Sequence, residues 1–516
     1  MTLDLVVVGC GPVGAVAGNL AGRAGLRTLV LDRSLEVFTL PRAVHLDAHI
    51  MRILQQAGVA DQMLPELRVW KGSTFYGADS LPIRVHQWPS DAPYGWKAHY
   101  LFYQPTLESV LREGLRRFDD VDVRLGVEAV GMRQHDDHVA VTVLDTSSNE
   151  TSEITARYVL GADGASSFVR TGSAIGLADG AFDEPWLVVD VLCDRRLGRP
   201  DESEMFCDPK RPSTRVPGPG NHHRWEFMLL PGETPEQVQG PESIEALLAP
   251  WVCMDEVTLL RASVYRFHSL VAKTWRRDRI FLAGDAAHQT PPFLGQGLCH
   301  GIRDVQNLVE KLVAARAGGP AEALLDSYEA ERRPHVEQII EMAVSSGREI
   351  CLLDPVAAAE RDRRMRLAAS TGLLPRTTFQ GMPPLRGGLF SPTPGAGELF
   401  LQPTVSRRDR PDELFDDAFG PQVLVAAHHF AVPDLLATAA KLGVPVLAVA
   451  DPSTGAAENL ECDGLIHDQQ VSEWFTRHGV AVAVLRPDRY VYGTATSADE
   501  AQTLLAEAVA YFPASR

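Results

Sequence analysis

The chain has 516 residues, 45% of them hydrophobic and 22% charged, which predicts roughly two to four soluble domains with sizeable cores. Its formal net charge of −18 argues against a nucleic-acid partner and against docking on anionic lipid. Seven scattered cysteines without a C-x-x-C pair argue against a disulfide framework and a metal site, and the lack of a leader peptide or a long apolar run predicts a cytoplasmic protein that does not enter a membrane.

The first predicted unit is a strand, a glycine-rich turn and a helix. The apolar stretch Leu3–Val8 runs into Gly9, Gly11 and Gly14, which stand at G-x-G-x-x-G spacing before a helical segment. A second apolar run ends in Asp32, where a carboxylate suits a ribose hydroxyl. This order is typical of a βαβ unit that binds a dinucleotide with its pyrophosphate at the helix N-terminus.

The next segment carries a basic candidate and many aromatic residues. Arg42 stands just before a helix predicted over residues 48–57, where its guanidinium could reach a pyrophosphate or lie in solvent. Residues 68–103 are predicted strands rich in aromatic side chains, among them Trp96. These aromatic residues either wall a flat apolar ligand or belong to the core.

Two further segments are predicted to return to the dinucleotide sheet. The first, at 156–170, is an apolar strand whose turn carries Asp163 and Gly164. The second, at 278–297, combines a strand, a turn and a rigid loop that contain Gly284, Asp285, Pro292, Gly295 and Gly297. The loop precedes a long helix, whose positive end suits the anionic pyrimidine edge of a reduced isoalloxazine. The carboxylate in the turn suits the hydroxyls of a ribityl chain.

The remaining segments before the C-terminal part are assigned by pattern. Residues 182–232 are strand-rich, and another strand is predicted at 262–268. Two helices are predicted over 321–333 and 336–354, with Pro334 separating them.

Together, the three glycine-bearing motifs resemble those of the group A flavoprotein aromatic hydroxylases. Within that family the chain is most similar to the 3-(3-hydroxyphenyl)propionate hydroxylases and to the phenol and polyketide hydroxylases; segments 207–214 and 224–229 favour the phenylpropionate branch. Residues 486–491 resemble the end of the family's thioredoxin-like domain, which here holds only Cys462 and so lacks thiol-disulfide chemistry.

The resemblance implies a mixed α/β fold. A Rossmann-like FAD-binding domain would be interleaved with a β-sheet substrate domain, as in p-hydroxybenzoate hydroxylase, and followed by a C-terminal thioredoxin-like domain. The implied boundaries are 1–70, 100–180 and 270–375 for the FAD-binding domain, 71–99 and 181–269 for the substrate domain, 376–420 for a linker, and 421–516 for the thioredoxin-like domain.

The resemblance also implies the activity and the cofactor. The enzyme would consume NADH or NADPH, bound transiently, and hydroxylate a phenolic ring ortho or para to a hydroxyl through a C4a-hydroperoxyflavin formed with O2. The residues implied to hold FAD or line its ring are Gly9, Gly11, Gly14, Asp32, Arg33, Arg42, Gln104, Asp163, Gly164, Gly284, Asp285, Pro292, Gly295 and Gly297. Asp32 stands where the family usually has Glu, and Ser166 where many members carry Arg.

Candidates for the phenol chemistry come from position in the chain. Those for handling the phenol proton are Tyr265, His222 and His223, with a core tyrosine and exposed loop histidines as the alternatives. Those for binding substrate are Arg215, Trp225 and Trp96. The arginine would pair with a carboxylate if the substrate is a phenylpropionate.

Alternative functions stay open at this point. One is hydroxylation of a polycyclic polyketide, or another flavin oxidoreductase reaction. A different class is a non-catalytic FAD-binding ligand sensor, against which the intact loop from Pro292 to Gly297 argues. The small aromatic substrate and O2 are the expected partners, and the C-terminal domain could build a homodimer.

Overall fold

The protein is described by a computed structural model that covers residues 2–39, 42–88, 92–194, 197, 201–371, 382–408, 410–450 and 461–514. Within those ranges, no helix combines the length and apolar character needed to cross a bilayer.

The strands, numbered in chain order, are β1 (Leu3–Val8), β2 (Thr28–Asp32), β3 (His45–Asp47), β4 (Arg68–Val69), β5 (Gly72–Tyr76), β6 (Pro82–Gln87), β7 (His99–Leu101), β8 (Val121–Leu125), β9 (Val127–Gln134), β10 (Val139–Asp145), β11 (Glu150–Gly161), β12 (Leu177–Leu192), β13 (Ser203–Phe206), β14 (Ser213–Pro217), β15 (His222–Met228), β16 (Thr258–Ala272), β17 (Arg276–Arg277), β18 (Ile280–Leu282), β19 (His288–Gln289), β20 (Thr404–Ser406), β21 (Glu413–Leu414), β22 (Leu424–His428), β23 (Val446–Val449), β24 (Gly464–Ile466), β25 (Val482–Leu485) and β26 (Val491–Ala495).

The α-helices are α1 (Pro12–Arg23), α2 (Ala48–Ala57), α3 (Ala60–Met63), α4 (Gln104–Leu115), α5 (Phe168–Gly172), α6 (Pro235–Val238), α7 (Pro241–Leu248), α8 (Gly297–Arg316), α9 (Ala321–Ile350), α10 (Pro355–Ser370), α11 (Phe415–Phe419), α12 (Val432–Leu442), α13 (Gln469–His478) and α14 (Ala498–Tyr511).

The first sheet contains the predicted dinucleotide unit. Strand β1 lies between β2 and β11, all parallel, and β18 and β8 extend the parallel set on either side. The strands pack against helices, and the central apolar side chains such as Val6 and Leu160 are fully buried. Near-continuous apolar runs in these strands reflect burial on both faces.

The second sheet runs in the order β19-β16-β12-β15-β14-β13-β5-β6. Its long strands β12 and β16 pair along most of their length. Helix α7 covers one face of this sheet, where Ile244 and Leu248 pack in one cluster with Trp225 and Phe227. Successive residues of a strand point to opposite faces, so Arg224 and Glu226, which alternate with Trp225 and Phe227, lie on the opposite face.

Helix α9 corrects the prediction of two helices broken at Pro334. The structure has one helix, Ala321–Ile350, with Pro334 inside it. The helix is buried on both sides of the proline, with Glu331 and Val336 almost inaccessible to solvent. Tertiary packing therefore outweighs the loss of one backbone hydrogen bond, which is the usual cost of an internal proline.

The C-terminal sheet has the order β21-β20-β24-β23-β22-β25-β26. Strands β22 and β23 are parallel, β25 is antiparallel to β22, and β26 forms one edge of the sheet. Strands β20 and β21 fall in the stretch predicted as a linker. They instead extend the sheet, because Val405 pairs with Ile466 far along the chain.

Buried ion pairs join the C-terminal domain to the rest of the molecule. Arg486 donates to both carboxylate oxygens of Glu331 on α9, each at 2.9 Å, and Lys311 on α8 donates to the same carboxylate at 2.8 Å. These cations hold the pKa of Glu331 well below its usual range, although burial alone would raise it.

Candidate active site

The predicted cofactor stretches meet at one edge of the first sheet. Strands β1, β2, β11 and β18 are parallel, so their carboxyl ends lie side by side. The turns after them open into one cavity of about 1110 Å³. All the residues predicted from the sequence to hold FAD line this cavity, except Gly14 and Gly284.

The first turn is closely packed on one side and open on the other. A Cβ atom at Gly14 would lie 1.9 Å from the carbonyl oxygen of Gly9, so helix α1 and the turn touch. Gly9 itself has φ of +103°, which favours glycine. At Gly11, which lines the cavity, a Cβ would meet no atom within 4 Å. The open side, at the N-terminus of α1, has the shape and dipole that suit a pyrophosphate.

Asp32 is held in place by the turn it faces. Its Oδ2 accepts a hydrogen bond from the Cys10 amide at 2.7 Å, and its Oδ1 accepts one from the Ser34 amide at 2.8 Å. Arg112, a cavity residue that the sequence analysis missed, lies 3.9 Å from the same carboxylate. The carboxylate is therefore fixed at the end of β2.

Two more carboxylates enter the cavity from the later turns. Asp163 accepts hydrogen bonds from the Ser167 hydroxyl at 2.5 Å and from the Val169 amide at 3.0 Å, at the start of α5. Asp285 projects into the cavity from the turn after β18. Enclosure by surrounding protein raises the pKa of both groups.

Gln104 shapes the loop that carries Arg42. Its Oε1 accepts hydrogen bonds from the amides of Arg42 and Ala43, each at 2.9 Å. The Arg42 guanidinium is exposed and stacks over Phe38, 5.1 Å from the ring centroid. The Nε2 of Gln104 donates to Glu108 at 2.7 Å, so the whole amide group is engaged. This leaves the Arg42 side chain as the group that can move toward an anion.

The far wall of the cavity is the open face of the second sheet. Alternate residues of neighbouring strands lie side by side across it, and the registers form two rows. The first row contains Arg84, Phe75, Met205, Thr214 and Glu226, and the second contains His86, Ser73, Ser203, Val216 and Arg224. Helix α9 lies opposite and contributes Met342, Ser345 and Ser346 to the cavity.

Arg224 is the centre of a buried ion cluster beside the cavity. It donates to both oxygens of Asp190, at 2.8 and 3.1 Å, and to the carbonyl oxygen of Arg42 at 2.7 Å. Arg261 lies 2.9 Å from Asp190 as well. The two guanidinium groups and the nearby His222 hold the pKa of Asp190 at about 2, against the effect of burial. The second sheet is thereby tied to the loop that carries Arg42.

The predicted proton-handling residues do not line the cavity. Tyr265 accepts a hydrogen bond from Arg261 at 2.8 Å, and His222 Nε2 lies 3.0 Å from Asp190. Both therefore support the ion cluster. His223 is buried beside Trp225, and burial lowers its pKa to about 4. None of the three is an exposed loop residue.

The residues predicted to bind substrate, Arg215, Trp225 and Trp96, do not line this cavity either. Arg215 is paired across its strand with Trp225 and lies 2.9 Å from the buried Glu204, on the sheet face covered by α7. Trp96 donates to Gln55 at 2.9 Å and packs against the main core. A shift of one residue along a strand exchanges its two faces, so Arg215 and Trp225 lie on the face turned away from the cavity.

Alternation along β15 would have found the residues that do reach the cavity. Trp225 and Phe227 are apolar and buried under α7, so the residues that alternate with them must face the other way. Those residues are Arg224 and Glu226, two charged side chains that both line the cavity.

A buried pair of histidines, His45 and His99, was not predicted from the sequence. His45 Nδ1 lies 3.2 Å from the carbonyl oxygen of Gly295, and His45 Nε2 lies 2.8 Å from His99 Nδ1. Burial lowers the pKa of both, that of His99 to about 3, so the rings are neutral. Because a carbonyl can only accept, His45 donates to Gly295 and accepts from His99. The pair anchors the loop that carries Gly295 to the aromatic wall of Trp70 and Trp88.

Comparisons with known proteins agree with this geometry. Residues 2–343 match the family described as FAD binding domain, and residues 397–510 match the HcaD C-terminal domain. The chain is 35% identical over 510 residues to a probable NADH-specific resorcinol 4-hydroxylase of Rhodococcus jostii (strain RHA1), covering 98% of this chain and 95% of that protein. It is 34% identical over 514 residues to a 3-(3-hydroxy-phenyl)propionate/3-hydroxycinnamic acid hydroxylase of Burkholderia cenocepacia (strain HI2424), covering 95% and 93%.

A solved structure supports the fold. The flavin-dependent monooxygenase PieE, in complex with FAD and substrate, superposes with a TM-score of 0.83 over 99% of both chains at 20% identity. This likeness confirms the predicted fold class. With two matched domains and full-length relatives above 30% identity, the chain belongs to the family of FAD-dependent aromatic hydroxylases.

Proposed function

We propose that this enzyme uses NADH or NADPH and O2 to hydroxylate a single-ring phenol at a carbon ortho or para to its hydroxyl. One observation carries the proposal: the groove at the carboxyl edge of the first sheet and the open face of the second sheet form a single cavity. A flavin in the groove and a ring on the sheet would therefore share one cavity, which is the arrangement that ring hydroxylation requires.

The residues of the groove fit FAD. The turn around Gly11 would receive the pyrophosphate, Asp32 a ribose hydroxyl, and Asp285 the ribityl chain. Gly295 and Gly297, which carry no side chain, would let the ring system approach the loop before α8. The bound FAD supplies the redox chemistry, taking electrons from the nicotinamide and activating O2.

The chain's own task is to place the ring and keep water away. Phe75 and Met205 give the sheet face an apolar floor, and Thr214 and Glu226 supply polar groups beside it. Helix α9 closes the opposite side with Met342 and two serines. A pocket that is mostly apolar with few polar groups fixes both the plane and the orientation of a phenol.

The size of the cavity favours one ring over several. The cavity of about 1110 Å³ would have to hold both FAD and the substrate. A pocket for one drug-sized ligand commonly measures about 300–1000 Å³, so little volume remains for the substrate once FAD is bound. The relatives above 30% identity are also named for single-ring phenols.

Oxidation of NADH and of NADPH by the FAD-loaded enzyme tests the proposal, measured with resorcinol, 3-hydroxyphenylpropionate, hydroxybenzoates and one polycyclic phenol. We expect a single-ring phenol to speed oxidation and to gain one oxygen atom by mass. A preference for the polycyclic phenol, or no response to any phenol, would contradict it. The relative from Rhodococcus jostii is named as an NADH-specific hydroxylase, which favours NADH over NADPH as the electron donor of this enzyme. A homodimer and a cytoplasmic location stay predictions, which light scattering and cell fractionation would test.

A further inference from the structure

Glu226 is a carboxylate in the cavity wall to which the described residues give no hydrogen bond. It lies on β15, between Thr214 of the neighbouring strand β14 and Val188 of β12. Its nearest cationic atom among the described residues is Nη1 of Arg224, at 3.9 Å, beyond hydrogen-bond distance. The neighbouring carboxylate of Asp190, by contrast, is paired with two guanidinium groups.

The nearby positive charge is directed elsewhere. Arg224 already donates to Asp190 and to the carbonyl oxygen of Arg42. Burial raises the pKa of Glu226, and the attraction of Arg224 offsets only part of that rise. The Glu226 side chain is 16% exposed, and a largely buried carboxylate without hydrogen-bond donors is costly. A ligand in the cavity that supplies a donor would therefore be favoured at this position.

A phenol would supply that donor. In the row of side chains that leads to Glu226, Thr214 lies beside it, and Met205 and Phe75 follow. A ring lying over Thr214 and Met205 would direct a hydroxyl along the sheet toward the carboxylate. We propose, on the basis of the function proposed above, that the Glu226 carboxylate binds the substrate by accepting a hydrogen bond from a ring hydroxyl.

This contact has a consequence for both orientation and reactivity. A hydroxyl bound at Glu226 fixes which ring carbons face the flavin side of the cavity. A carboxylate that draws on the hydroxyl proton increases electron density at the ortho and para carbons, which are the carbons to be hydroxylated. A ligand without an O–H donor gains neither effect.

Ligand binding to the oxidised, FAD-loaded enzyme tests the proposal without turnover. Flavin absorbance would be titrated with resorcinol and with 1,3-dimethoxybenzene, which lacks the O–H donor, in the wild type and in E226Q and E226D. E226Q should weaken resorcinol binding about tenfold or more, as expected for a hydrogen bond to a charged group, and change the binding of the diether less than about twofold. E226D, which keeps the charge with a shorter reach, should lie between the wild type and E226Q.

The matched control is E184Q. Glu184 lies on the adjacent strand β12, is half-buried, and does not line the cavity. E184Q should bind both ligands like the wild type. FAD content and melting temperature show whether E226Q folds, and E226D gives a second variant if it does not.

The outcomes separate this inference from the proposed function. Equal weakening of both ligands in E226Q, or no weakening, overturns the role of Glu226 while the wild type still hydroxylates phenols. A wild type that neither binds nor hydroxylates any phenol overturns the proposed function and this inference with it.

Discussion

Two of the three glycines of the first turn, Gly11 and Gly14, should fail in different ways when replaced by alanine. In Gly14→Ala the new Cβ would lie 1.9 Å from the carbonyl oxygen of Gly9 and 3.2 Å from Val7 Cγ1. In Gly11→Ala the new Cβ would meet no atom within 4 Å and would point into the cavity. The first change therefore acts on folding, and the second acts on the space proposed for FAD.

The magnitudes follow from these distances. The Gly14 Cβ and the Gly9 oxygen must separate by about 1.1 Å before they reach even the 3.0 Å that real contacts respect, and both belong to backbone. Overpacking of this kind costs about 3 kcal/mol, which lowers the melting temperature of a large domain by about 6–12 °C. Gly11 has φ of −70°, which alanine adopts easily, so only the weaker helix cap remains, at less than about 1 kcal/mol.

Two assays separate the effects. Thermal unfolding of the FAD-free protein should show a lower melting temperature for Gly14→Ala and a melting temperature close to that of the wild type for Gly11→Ala. Titration of the FAD-free protein with FAD should show binding weakened about tenfold or more in Gly11→Ala, because a methyl group would occupy the phosphate approach. Equal melting of Gly14→Ala and wild type would refute the close approach, and unchanged FAD affinity in Gly11→Ala would refute the pyrophosphate assignment.

Three further predictions concern buried charges and thiols. Arg215→Met should destabilise the fold by about 3–5 kcal/mol, because Glu204 keeps a buried charge without this partner, yet leave the KM for an acidic phenol unchanged. A KM that rises would return Arg215 to the substrate site. The folded pKa of Asp190, about 2, lies below its ordinary 3.8, so its stabilisation is present above about pH 4 and lost as pH falls toward 2; the gap in melting temperature between wild type and Asp190→Asn should close over that range. Cys253 is exposed, whereas burial raises the pKa of Cys10 to about 12, so Ellman's reagent should label the native protein first at Cys253, and Cys253→Ser should remove that fast phase.

The sequence by itself determined the cofactor groove. Each of its parts is a short, contiguous strand and turn, such as Val8 to Gly14, whose chemistry is local and visible in the spacing of its residues. Because β1, β11 and β18 pair in parallel, their carboxyl ends meet at one edge of the sheet, and the turns that follow them come together there. The fold class and the family followed from the same motifs.

Only the tertiary structure decided the rest of the site. Which face of β14 and β15 meets the cavity depends on helix α7 covering the other face, and this placed Glu226 in the wall and Arg215 outside it. The continuity of α9 through Pro334 and the addition of β20 to the C-terminal sheet likewise depend on partners distant in the chain. A pattern along one strand shows that two faces differ, whereas the identity of the covered face is set by long-range packing energy that no local pattern contains.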